Sequence, residues 1–303
     1  MSIIEQVHPT VRARVKRTLI ITWAVSAIVM AAGALALTLW GGQVGERLAA
    51  HNAWVALLLV IPLSFLAEYV DSSLGMGYGT TLTPMLLLLG FPSKLVVPAV
   101  LIQELVSGAL NASSHHVFGN VNLRLRGTAL RLGLILGICG LAGGSLAASL
   151  ALHLPEKTVK LVTGLIVLSM GFLVAAARRF RGGLSWSRAT ALGLVAAANK
   201  GFMGGGYGPI VTGGQVAAGL PTKEAVAITS LSEVFTCVGG LAGYLVGGQS
   251  FHWPLVVGLL IGGMLAAILG AATVRALDHD RLRAAMVVGC FYLGLLTIIK
   301  AIR

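Results

Sequence analysis

The chain has 303 residues, 56% of them hydrophobic and 11% charged, with a mean hydropathy of +0.90. Soluble domains carry roughly 25% charged residues, so this composition excludes an ordinary water-soluble fold and points to a polytopic helical membrane protein. The net charge of +12 does not mark a nucleic-acid-binding surface, because the basic residues gather at the ends of apolar runs, as cytoplasmic loops do.

In chain order, residues 1–18 read as a basic cytoplasmic tail, and 19–41 hold an extra transmembrane helix, a signal anchor in character. A second apolar run spans 53–70 and ends in Asp71-Ser72-Ser73, followed by Gly75-Met76-Gly77-Tyr78-Gly79. A short apolar piece at 80–89 is closed by Gly90-Phe91-Pro92. Residues 94–112 form the next helix, with Gln103-Glu104 in its middle, and 128–152 and 158–177 form two more. A basic loop at 178–188 separates the halves. Residues 190–198 then lead into Asn199-Lys200-Gly201-Phe202-Met203-Gly204-Gly205-Gly206-Tyr207-Gly208-Pro209, where five glycines and a proline are expected to break the helix. A second short piece lies at 210–218, a helix carrying Glu233 at 223–246, and two last helices at 253–276 and 282–302. Cys139, Cys237 and Cys290 all lie within apolar runs and read as packing residues.

The halves repeat. Sliding residues 75–104 onto 204–233 without a gap matches Gly75/Gly204, Gly77/Gly206, Tyr78/Tyr207, Gly79/Gly208, Thr83/Thr212, Gly90/Gly219, Pro92/Pro221, Lys94/Lys223, Val97/Val226 and Glu104/Glu233. The matched Tyr, Pro, Lys and Glu argue against simple glycine bias. With the basic N-terminus inside, loops 115–126, 178–188 and 277–281 also fall inside. Repeat 1 (53–177) and repeat 2 (186–302) then each hold about five segments and enter from opposite sides, an inverted-topology arrangement. The short pieces are too brief to cross roughly 30 Å alone and are expected to be half-helices or re-entrant.

Charge inside a membrane is costly, so each buried ionisable residue is a functional candidate with a partner to be named. Lys200 abuts the second break, and its repeat mate is Asp71. Lys200 is a candidate to attract an anion, helped by N–H groups of Gly205, Gly206, Tyr207 and Gly208 at a half-helix start. The alternative is a structural Lys200–Asp71 bridge. Glu104, Glu233 and Asp71 are candidates for proton coupling or for fixing the loops. Asn199, Gln103, Thr83, Thr212, Gln215 and Ser230 offer uncharged hydrogen-bonding groups, and Gly77, Tyr78 and Gly79 form the opposing loop. Lys200→Met is expected to weaken anion binding while leaving folding intact. His115 and His116 read as interface residues at a helix end, and Glu68 carries no assigned role. No P-loop, His-Glu-x-x-His or Cys-x-x-Cys pair is present, so neither an enzyme nor a cofactor is expected.

The two copies of a glycine-rich turn, a short apolar segment and Gly-x-Pro resemble the TauE/SafE (sulfite exporter, TSUP) family of membrane anion permeases. The second copy, with Gly219-Leu220-Pro221 and Ala227-Ile228-Thr229-Ser230, matches more specifically. The first departs from it, with Pro84 late and the Thr-Ser after Pro92 missing. The resemblance spans about 53–302. It implies alternating-access secondary transport of a small sulfur-containing anion such as sulfite or an organosulfonate, coupled to an ion gradient that is expected to be protons. It also implies a multi-pass protein of the bacterial inner membrane, with lipid and further copies of the chain as expected partners. A gated anion channel and an integral-membrane enzyme are the alternatives.

Overall fold

The computed structural model describes residues 53–75, 77–123, 127–176, 185–274 and 279–302. The tail and the extra N-terminal helix lie outside the described residues, as do Met76 and most of the 178–188 loop. Among the described residues the protein is all-helical, with ten helices. These are α1 (Ala53–Leu74), α2 (Tyr78–Leu88), α3 (Ser93–Val117), α4 (Thr128–Leu152) and α5 (Glu156–Ala176). The second half adds α6 (Trp186–Met203), α7 (Tyr207–Ala217), α8 (Thr222–Val246), α9 (Trp253–Thr273) and α10 (His279–Ile302).

Five of these helices, α3, α4, α5, α8 and α9, are long and apolar enough to cross a membrane. Leucine, isoleucine and valine lie exposed along α4, α5, α9 and α10, as lipid-facing side chains must. By contrast α2 and α7 have 11 residues each, a rise of about 16 Å, and are almost wholly buried in protein.

The shift that carries 75–104 onto 204–233 also carries α2 onto α7 and α3 onto α8, end to end. Packing follows the same correspondence. Helix α4 lies against α6 and α8, and α9 lies against α1 and α3. The remaining major contacts join repeat mates, α3 to α8 and α5 to α10. Small residues permit these crossings: Gly239 and Gly243 of α8 sit on the backbone of α4 at Leu141 and Ser145, and Gly262 of α9 sits on α1 at Ile61.

The helix breaks are narrower than the glycine composition suggests. Helix α6 runs through Lys200 and Gly201 to Met203, and α7 already contains Gly208 and Pro209. Proline is tolerated there because the first turn of a helix lacks intrahelical partners for its N–H groups. Gly201 serves close packing against Gly144 of α4. The break itself is Gly204-Gly205-Gly206, with Gly204 (φ 73°) and Gly206 (φ 80°) in the left-handed region. In repeat 1, α1 likewise continues through Asp71-Ser72-Ser73, and the chain turns at Gly75 (φ 66°). Cys237 and Cys290 are buried and all three cysteines are free.

Candidate functional site

The two breaks touch, backbone against backbone. A methyl group on Gly79 would collide with the Gly204 carbonyl, and one on Gly205 would collide with Gly79. Gly206 N–H donates to Thr80 Oγ1 across this junction (3.1 Å). Only glycine allows such an approach, which explains the glycines flanking each break.

Helix starts leave N–H groups without intrahelical partners, and these must be satisfied when buried. In the first break, carboxylates do this. Asp71 Oδ1 accepts from Gly77 N–H (2.7 Å) and Tyr78 N–H (3.4 Å). Glu104 Oε1, from the middle of α3, accepts from Gly79 N–H (3.3 Å). In the second break Lys200 stands in the place of Asp71, and a cation cannot cap N–H groups. Its ammonium turns to Glu104 Oε2, and to Glu233 Oε1 at 2.8 Å. Lys200 is 0% exposed, so it is closed to solvent in this conformation, and both glutamates are also buried.

The partner of Lys200 is therefore the pair Glu104 and Glu233 rather than Asp71, a correction with a geometric cause. Helices α3 and α8 cross each other, so their mated glutamates approach one another and a single lysine reaches both. Lys200 is not a bare cation waiting for an anion. Removing it strands two buried carboxylates, so the expectation that Lys200→Met leaves folding intact does not survive this geometry.

The remaining candidates divide. Gly77 and Gly79 border the cluster through the N–H bonds above, and Asn199 lies beside Gly206. Thr83 is buried beside Gly204, and its hydroxyl oxygen has no partner among the described residues. Tyr78 and Tyr207 are fully buried but reach outward, to Ser64 of α1 (2.9 Å) and to the Leu136 carbonyl of α4 (3.5 Å). Thr212, Gln215 and Thr229 form a separate knot in which Thr212 Oγ1 donates to the Gly75 carbonyl (2.8 Å). Ser230 accepts from Asn111 across the α3–α8 crossing (2.8 Å). Gln103 faces away from Lys200, donating to Glu68 (3.0 Å).

Sequence reasoning gave Glu68, Thr80 and Thr229 no role, and its reading of His115 as an interface residue at a helix end is corrected by the structure. His115 is fully buried, and its Nε2 reaches the Ser72 carbonyl (3.0 Å). The signal for Glu68 was its spacing: Asp71 and Ser72 follow it at one helical turn on the same face.

The family model described as "Sulfite exporter TauE/SafE" matches residues 59–297. A curated relative from Bacillus subtilis, "Probable membrane transporter protein YtnM", is 29% identical over 245 residues, covering 77% of this chain and 79% of its own. No solved structure matches.

Proposed function

Because the chain belongs to the TauE/SafE sulfite exporter family, we propose that this membrane transporter carries a small sulfur-containing anion, an organosulfonate or sulfite, by proton-coupled alternating access. The observation that carries the reading is the position of Lys200: a buried lysine where two broken helices meet, held by a glutamate from each half. Inverted-repeat transporters bind substrate at such a junction. Sulfonate and sulfite oxygens accept hydrogen bonds, so they compete for the same ammonium protons that Glu104 and Glu233 now hold.

Coupling follows from charge. The cluster places one lysine among Asp71, Glu104 and Glu233, all buried. Adding an anion to this surplus of carboxyl groups is prohibitive unless protons enter with it. Loosening either glutamate's hold on Lys200 opens the ammonium to substrate. Half-helices α2 and α7 are short enough to swing with their breaks while the long helices stay packed. The matched packing of the two halves supports inverted repeats, and the basic loops support a cytoplasmic N-terminus in a bacterial inner membrane.

A ligand-stabilisation screen of the purified full chain tests this. Sulfite, sulfoacetate, taurine and isethionate are compared with sulfate and carboxylate analogues. Saturable stabilisation by sulfite or a sulfonate, and not by carboxylates of the same size, is the expected outcome. Equal response to every anion, or to none, contradicts the assignment.

A further inference from the structure

The polar groups that the Lys200 cluster leaves unused gather one step along α3. Glu68 of α1 is 1% exposed. Its carboxylate accepts from Ser72 Oγ (3.0 Å), Gln103 Nε2 (3.0 Å) and Ser107 Oγ (2.9 Å). These three donors are all neutral. Glu104 and Glu233 hold the Lys200 ammonium, whereas Asp71, like Glu68, makes no ion pair among the described residues and instead holds two backbone N–H groups at the start of α2. Glu68 is therefore the one of these four carboxyls that neither meets a cation nor caps a helix start.

Gln103 adds an independent observation. Its Nε2 faces Glu68, while its Oε1 is buried with no partner among the described residues. Half a turn of the amide presents that oxygen instead, and a protonated Glu68 can donate to it. One side chain can thus satisfy either charge state of the carboxyl. Gln103 also directly precedes Glu104, so a movement of α3 that frees Glu104 from Lys200 shifts the amide that holds Glu68.

The titratable groups nearest Glu68 are Asp71, one turn along its own helix, and Tyr78 of α2, whose hydroxyl meets Ser64 one turn before Glu68. Glu104 lies beyond Gln103, with Lys200 and Glu233 behind it. Helix α9, packed along α1, bears no titratable side chain. His115 touches the Ser72 carbonyl but is neutral. Asn120 Nδ2 is fixed by the Ala271 carbonyl (3.0 Å) and also donates to His115 Nδ1 (3.1 Å), so the ring proton sits on Nε2.

We propose that Glu68 carries the coupling proton of the transport cycle, with Ser72, Gln103 and Ser107 as its positioning residues. The carboxylate gains a proton from water on one side of the membrane and releases it to water on the other, with no other bond made or broken. This rests on the transporter reading above.

The test uses the full chain in proteoliposomes with radiolabelled sulfite and isethionate in parallel, comparing Glu68→Gln with wild type. Glu68→Gln is expected to keep anion counterflow within about twofold, because exchange does not require proton release. It is also expected to lose pH-gradient-driven accumulation altogether. Accumulation equal to wild type overturns the Glu68 assignment alone. A wild type without saturable flux of either anion overturns the transporter reading, and this assignment with it. Should Glu68→Gln also lose counterflow, Ser107→Ala decides. A shift of about one pH unit in the midpoint of driven uptake, with counterflow retained, supports the role, and an unmoved midpoint overturns it.

Discussion

Replacing Lys200 by methionine removes the cation from between Glu104 and Glu233 while keeping most of the side-chain volume. Breaking a buried ion pair by deleting one partner costs about 3–5 kcal/mol, because the remaining charge is left uncompensated in a low-dielectric site. Here two carboxylates lose their partner, so the upper part of that range applies. For a domain of this size about 1 kcal/mol corresponds to roughly 2–4 °C, so Tm is expected to fall by about 10 °C or more. Adding Glu104→Gln and Glu233→Gln removes both stranded charges, and this triple variant should recover at least half of the loss. Acidifying the medium should narrow the deficit of Lys200→Met in the same way, since protonated glutamates no longer need a cation. The assay is thermal stability of detergent-solubilised protein followed by size-exclusion chromatography. A Lys200→Met protein within about 2 °C of wild type, or a triple variant less stable than the single one, refutes the idea that Lys200 is held as the shared partner of the two glutamates.

Other outcomes follow from the same geometry. Gly205→Ala places a methyl group in the Gly79 backbone and should cost about 1–3 kcal/mol and halt transport, whereas Gly213→Ala in α7 meets no atom within 4 Å and should be neutral or stabilising by about 0.5–1 kcal/mol. Paired thermal melts and uptake assays compare them, and equal effects would contradict the close approach of the two breaks. Asp71→Ala should cost about 1–2 kcal/mol by orphaning Gly77 and Tyr78 N–H groups, and Asp71→Asn should restore most of it. Melting temperatures that rank the other way would show that Asp71 does not cap α2. Isethionate, whose sulfonate keeps its charge across the working pH range, should stabilise the protein more strongly as pH falls. A titration by thermal shift that is flat with pH would contradict entry of the anion together with protons.

The helix boundaries were legible because apolar runs end at Gly-x-Pro turns and polar loops, and those punctuation marks occur at matching positions in both halves. The width of the break was not. Gly201 and Gly208 look like breakers in sequence, but one is a packing contact on Gly144 and the other lies in a first turn. The lysine was legible as an expensive buried charge, and its partner was not. Repeat symmetry suggested its mate Asp71, while the crossing of α3 and α8 delivers both glutamates to it. Glu68 stayed hidden because its burial depends on helices distant in sequence. Its own segment shows only an acid one helical turn before Asp71, and α3 and α9 convert it into a core residue.

The central claim is that a sulfur-containing anion moves through a Lys200-centred site against its own gradient. Uptake of radiolabelled sulfite and isethionate into proteoliposomes, under an imposed pH gradient, tests this most directly. The account predicts saturable uptake of at least one of the two to an internal level above the external one, collapsing when the pH gradient is dissipated. Uptake that rises linearly with concentration and stops at equal levels inside and out would contradict it, and would identify a channel instead.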